Sequence, residues 1–137
     1  MSSVTTESDR FLSNGERIII GHRGLSSLAP ENTMAAFRSA VDHQVGWVEA
    51  DVDIIADGTI IICHDSTLDR TTNRTGRYDD LTVADLAGID AGGWFSSQFE
   101  GEPLPALRDL IDLMNEAGLN ANIEIKPNEG GKEATLR

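Results

Sequence analysis

The apolar run Ile18-Ile19-Ile20 breaks off into Gly21-His22-Arg23-Gly24, an imidazole and a guanidinium side by side. Glu49 and Asp51 stand two apart in a second run, His64 and Asp65 close a third, and Glu124 and Lys126 close a fourth. A core strand gains nothing from such an ending; a strand whose end faces a site does. His22 and His64, two of the three histidines, read either as groups of that site or as hydrogen-bonded core histidines. Glu49 and Asp51 share a strand face. Two carboxylates so close repel unless a proton or a cation lies between them. With Glu124 they make an oxygen-only set that suits Mg²⁺ or Ca²⁺ better than zinc, and His22 or His64 could serve a softer metal. The same residues leave open a second arrangement, in which Glu49 and Asp51 pair with Arg23 and Lys126 in a buried ionic network. Arg23 and Lys126 beside a cation point to an anionic ligand, and phosphate fits. Asp53 reads as structural or solvated, and His43 as surface.

The elements that must position these groups follow from periodicity. Arg17–Ile20 is a short all-apolar strand of the kind buried on both faces of a parallel sheet. Asn32 or Thr33 caps a helix carrying Met34, Phe37 and Val41 on one face. Trp47–Ile55 alternates, with Glu49, Asp51 and Asp53 on one side and Val48, Ala50, Val52 and Ile54 on the other. Asp57-Gly58 signals a two-residue turn into the strand Thr59–Cys63. That register puts Asp51 opposite His64, with Cβ atoms about 4.5–5.5 Å apart. Thr82 and Asp85 make a capping box with Leu81 and Leu86 at staple positions. Pro105 opens a helix with Leu107, Leu110, Ile111 and Met114 on one face, stopped by Gly118. The stretch 120–127 is the last strand. The order is β-α-β-β-(insert)-α-β, an α/β pattern. Ionisable residues collect at the carboxyl ends of the strands, where parallel sheets and barrels place their sites.

Composition narrows the classes. The 137 residues suffice for one domain, with 39% hydrophobic and 25% charged residues as in soluble globular chains. A net charge of −12 argues against a broad nucleic-acid or anionic-membrane surface but allows a local anion site. Cys63 is the single cysteine, which excludes an intrachain disulfide, and its apolar run predicts a buried thiol. No apolar stretch approaches the ~20 residues of a membrane span. The polar start lacks the pattern of a signal peptide, so the expected address is the cytoplasm. Residues 1–15 read as a disordered leader.

The motifs GHRGLSSLAPENTMAAFRSA, VEADVDIIADGTIIICHDSTLDRTTNRTG, DLTVADLAGIDAGGWF and NIEIKP occur in one order over about residues 17–127. In this order they resemble the glycerophosphodiester phosphodiesterase family, of the phospholipase C-like phosphodiesterases. The resemblance implies a TIM-type (β/α) barrel and metal-dependent hydrolysis of glycerophosphodiesters to glycerol 3-phosphate and an alcohol. It implies His22 and His64 as general acid and base, and Glu49, Asp51 and Glu124 as ligands of Mg²⁺ or Ca²⁺. It puts Arg23 and Lys126 on the substrate phosphate. The attacking group is either the substrate's own glycerol hydroxyl, through a cyclic phosphate, or water. Residues 65–103 match the family's small insertion over the barrel mouth, where Trp94 and Phe95 either line the alcohol side or simply pack.

A whole barrel takes ~250 residues and about eight strands. Residues 16–137 thus correspond to its amino-terminal half, about four strands plus the insertion. Two apolar sheet edges would be open, so self-association or a second chain is expected, and the chain alone is not expected to be a stable, active monomer. The alternative function is a non-catalytic remnant or interaction module that keeps metal or phosphate binding.

Overall fold

A computed structural model describes residues 8–11 and 17–125 of the chain. Strand β1 (Ser8–Phe11) runs antiparallel to β2 (Arg17–His22). Helix α1 (Met34–Asp42) leads to β3 (Trp47–Ile54), which pairs in parallel with β2 and antiparallel with the short β4 (Ile60–Ile62). The segment after β4 holds the one-turn helix α2 (Val83–Leu86) and a 3₁₀ turn, Ser97–Phe99. Helix α3 (Leu107–Ala117) then feeds β5 (Asn120–Ile125), parallel to β3. Parallel strands β2, β3 and β5, joined through helices, form part of a TIM-type (β/α) barrel. Among the described residues no helix is long and apolar enough to cross a membrane.

The alternation along β3 sorts the core into two layers. Val48, Ala50 and Val52 face helices α1 and α3, meeting Phe37, Leu110 and Leu113. On the other face the segment after β4 covers the sheet, with Ile61, Cys63, Tyr78, Leu81 and Leu86 in one cluster. Thr33 caps α1 by accepting from the Ala36 amide. The Thr82–Asp85 capping box forms, and Gly118 ends α3 at φ 73°. Cys63 is buried, and His43 is exposed.

Three expectations need correction. Ser8–Phe11, within the stretch read as a leader, is a strand; it supplies ladder partners that β2 would otherwise lack on that edge. Residues 1–7, 12–16 and 126–137 lie outside the described residues, and with them the expectation for Lys126. On α3 it is Leu113 that is buried, while Ile111 is 43% exposed. The third correction is register. The hairpin turn runs through Ala56, Asp57 and Gly58, with Gly58 at φ 88°, the Gly58 amide donating to Ile55 O and the Ile55 amide to Thr59 O. A three-residue loop with glycine in the left-handed region adds one residue to the expected turn. Ile54 therefore faces Ile60, Asp53 faces Ile61, and the Cys63 amide donates to Asp51 O at 2.8 Å. His64 falls beyond the end of β4 and is not the cross-strand partner of Asp51.

Asp53 proves structural. Tyr78 Oη donates to Asp53 Oδ2 at 2.8 Å, with both residues at most 2% exposed. Burial, reinforced by this carboxylate, pushes the phenol well above its ordinary range, so it stays a neutral donor. The pair fastens the segment after β4 to the end of β3. Tyr78→Phe removes the donor and is expected to cost about 1–3 kcal/mol in denaturant unfolding. An unchanged midpoint would show that the bond contributes nothing.

Candidate active site

Parallel pairing carries the acidic face of β3 to the ends of its neighbours. His22 lies beside Glu49 in the β2–β3 register, and Asp51 beside Glu124 in the β3–β5 register. His22 Nδ1 meets Glu49 Oε1 directly. Glu49 and Asp51 are each 6% exposed. Burial raises the Glu49 carboxyl above its ordinary value; a hydrogen bond with Glu124 and the charges of Glu124 and Asp51 push the same way, while His22 opposes them. The structure thus brings Glu49, Asp51, Glu124 and His22 to one strand-end face.

The β2–α1 loop supplies the next layer. Arg23 and Asn32 both have positive φ, 57° and 56°, and the Asn32 amide closes the loop on Arg23 O at 2.9 Å. Left-handed conformations outside glycine persist where surrounding structure enforces them, and they gather at functional sites. Asn32 Nδ2 donates to Asp51 Oδ2 at 3.1 Å, Arg23 Nη1 to Glu31 Oε2 at 3.0 Å, and Arg23 Nε stands 3.6 Å from Asp51 Oδ2. Arg23 therefore hydrogen-bonds Glu31 and makes a longer ion pair with the β3 carboxylate of Asp51. Gly24 makes the tight passage possible. At φ 83°, a Cβ there would come within 2.6 Å of Ala36 Cβ and 2.8 Å of the Ala36 carbonyl carbon. Gly24→Ala is expected to cost at least about 1–3 kcal/mol in a thermal or denaturant melt; a neutral result would mean that α1 can move away.

His64 enters from the other side. Its Nδ1 meets Asp65 Oδ1 at 2.8 Å. A narrow pocket lined by Glu31, Asn32, Cys63, His64 and Thr71 brings it to the same loop as Asp51's partner Asn32. Glu31, Asn32, Asp65 and Arg70 were not among the site residues expected from sequence. The Pro-Glu-Asn run after Arg23 and the basic residue five after Asp65 were the available signals. Trp94 stacks edge-on against Phe95 at 5.7 Å and is 42% exposed; its indole N–H donates to Ala91 O.

Two buried polar atoms, Arg23 Nε and Asn32 Oδ1, have no hydrogen-bond partner among the described residues, and Glu49 Oε1 has its contact with His22 Nδ1 alone. Buried polar groups are rarely left so. Among the described residues no three His, Cys, Asp or Glu side chains stand ready as a metal cage; Asp51 accepts from Asn32, and Glu49 meets His22. In kind the donors fit a hard cation: the buried Glu49 carboxyl, the adjoining Glu124 carboxyl and Asp51 all offer oxygen.

Residues 22–136 match the Glycerophosphoryl diester phosphodiesterase family. The chain is 40% identical over 109 residues to a glycerophosphodiester phosphodiesterase of Caldanaerobacter subterraneus, covering 80% of this chain and 45% of that one. An Oleispira antarctica phosphodiesterase, solved in complex with the product sn-glycerol-3-phosphate, superposes with a TM-score of 0.81 at 39% identity, over 85% of this chain and 47% of that one. A glycerophosphodiester phosphodiesterase from Agrobacterium tumefaciens gives a TM-score of 0.71 at 38% identity, over 76% and 45%. The chain spans about half the length of the relatives it matches.

Proposed function

The chain belongs to the glycerophosphoryl diester phosphodiesterase family, and on that premise we propose that it carries the catalytic centre for hydrolysis of glycerophosphodiesters to glycerol 3-phosphate and an alcohol. The observation that carries this reading is the strand register that gathers His22, Glu49, Asp51 and Glu124 at one strand-end face, with Arg23 Nε, a buried donor without a hydrogen bond, 3.6 Å from Asp51 Oδ2. A phosphodiester oxygen on Arg23 Nε would give a hydrogen bond to a buried donor that otherwise has only a 3.6 Å ion pair with Asp51.

Each residue then has a task. Glu49, Asp51 and Glu124 would hold Mg²⁺ or Ca²⁺. Such a cation supplies charge neutralisation of the phosphoryl oxygens as negative charge builds in the transition state. Arg23 binds and orients the phosphate, and Lys126 is assigned the same role from the family resemblance. The Nδ1 atoms of His22 and His64 are directed to Glu49 and Asp65, so proton exchange with substrate falls to Nε2 of each ring. One ring takes the proton of the attacking hydroxyl, from the glycerol or from water. The other gives a proton to the departing alkoxide. The expected substrate is a small soluble diester, with no nucleic acid involved.

The test on the chain as it stands is binding. Titration with glycerol 3-phosphate, followed by amide and side-chain NMR in the presence of Mg²⁺ or Ca²⁺, is expected to perturb His22, Arg23 and His64. Shifts confined to other surfaces would refute the assignment. A second reading, an interaction module, is favoured by one observation: on β5, Ala121 and Ile123 are only half-buried and Ile125 is 46% exposed. Light scattering decides it; a concentration-independent monomer counts against association.

A further inference from the structure

One guanidinium ties the two arms of the site together, and the proton and phosphate chemistry above gives it no role. Arg70 Nε and Nη2 donate to Asp65 Oδ2 and Oδ1 at 2.9 and 3.0 Å. Its Nη1 and Nη2 donate to Glu31 Oε1 and Oε2 at 3.1 and 2.9 Å. Asp65 in turn meets His64 Nδ1, and Glu31 accepts from Arg23. A planar fork thus engages two carboxylates, each with both oxygens, and each carboxylate orients one working side chain.

We propose that Arg70 is a positioning residue, which clamps Asp65 to Glu31 so that His64 and Arg23 address the same phosphodiester group. The proposal rests on the phosphodiesterase reading. Its physical basis is orientation more than stability. Arg70 is half exposed, and exposed ion pairs add little to folding. Four short bonds from one planar group, however, fix both carboxylates in angle as well as position. Asp65 is held far below the usual carboxylate range, first by Arg70 and then by His64, so it stays an acceptor and keeps the ring proton on Nδ1. A lysine in place of Arg70 keeps the charge but cannot fork onto two carboxylates at once.

A merely structural Arg70 would fasten residues 65–70 to the β2–α1 loop and leave the imidazole tautomer alone. The two roles separate in ¹⁵N NMR of the histidine rings in the full chain. Wild-type His64 is expected as the Nδ1-protonated tautomer. Both Arg70→Gln and Arg70→Lys should lose that signature, the lysine variant no less than the glutamine one. His43 hydrogen-bonds through Nδ1 to Ser39 O and is remote in sequence; its unchanged signals report that the fold is intact. If the glutamine variant loses the fold, the lysine variant decides. A wild-type His64 protonated on Nε2, or a spectrum unchanged in the lysine variant, would overturn the proposal. If the spectra respond as expected but no diester is cleaved, the phosphodiesterase reading fails and the clamp stands.

Discussion

Alanine at His22 or at His64 is expected to lower glycerophosphodiester turnover by roughly 10²–10⁴-fold, the usual worth of a positioned acid or base. Because the chain spans about half of its relatives, the assay uses it joined to the remaining half of the Caldanaerobacter relative. The two losses should be similar in size and non-additive, since each ring serves one end of the same displacement. Binding of glycerol 3-phosphate should change far less, because Arg23 and the cation meet the phosphate charge. His22→Ala also removes the partner of Glu49 Oε1, leaving that oxygen open to a cation, so cation affinity should hold or rise. Near-wild-type turnover in either variant would remove that histidine from the mechanism. Equal losses of cation binding and turnover would instead make it a ligand.

The second large effect concerns the carboxylates. Glu49→Gln or Glu124→Gln should weaken Mg²⁺ or Ca²⁺ binding by more than the roughly 10–100-fold typical of an outer partner. Calorimetric titration of the chelated chain reads this directly, and unchanged affinity in the Glu124 variant would dismantle the three-carboxylate site. The proton and the cation compete for the same oxygens. Without metal, Glu49 is raised above its ordinary 4.5, so the folded protein holds that proton more tightly than the unfolded chain does. Its contribution to stability is complete below that ordinary value and is lost as pH rises through the raised one. Added cation should reverse the loss, so thermal stabilisation by Mg²⁺ or Ca²⁺ should grow with pH over that window. Stabilisation that shrinks as pH rises would contradict the assignment of Glu49.

Much of this geometry was legible because strands have a period of two. His22 beside Glu49 and Asp51 beside Glu124 follow once β2, β3 and β5 are parallel and their polar faces are read off. The caps of α1 and α2 and the stop of α3 are local and were equally legible. The hairpin register was not. Asp-Gly suits both a two-residue turn and a three-residue one with glycine in the left-handed region, and a slip of one residue detaches His64 from Asp51. Glu31, Asn32 and Arg70 were not read as site residues for a different reason. Their partners are set by how two loops close on each other, and no periodicity records that. Ile111 was misplaced on α3 because its apolar stripe is wider than the surface that the described sheet offers it.

The central claim is that these strand ends cleave a phosphodiester. It is tested most directly by ³¹P NMR of a glycerophosphodiester incubated with the completed barrel, first with chelator and then with Mg²⁺ or Ca²⁺. The account predicts loss of the diester resonance and growth of glycerol 3-phosphate, only with the cation, and neither in the His22→Ala, His64→Ala double variant. A diester that persists with cation present, or hydrolysis that survives the double substitution, would contradict it.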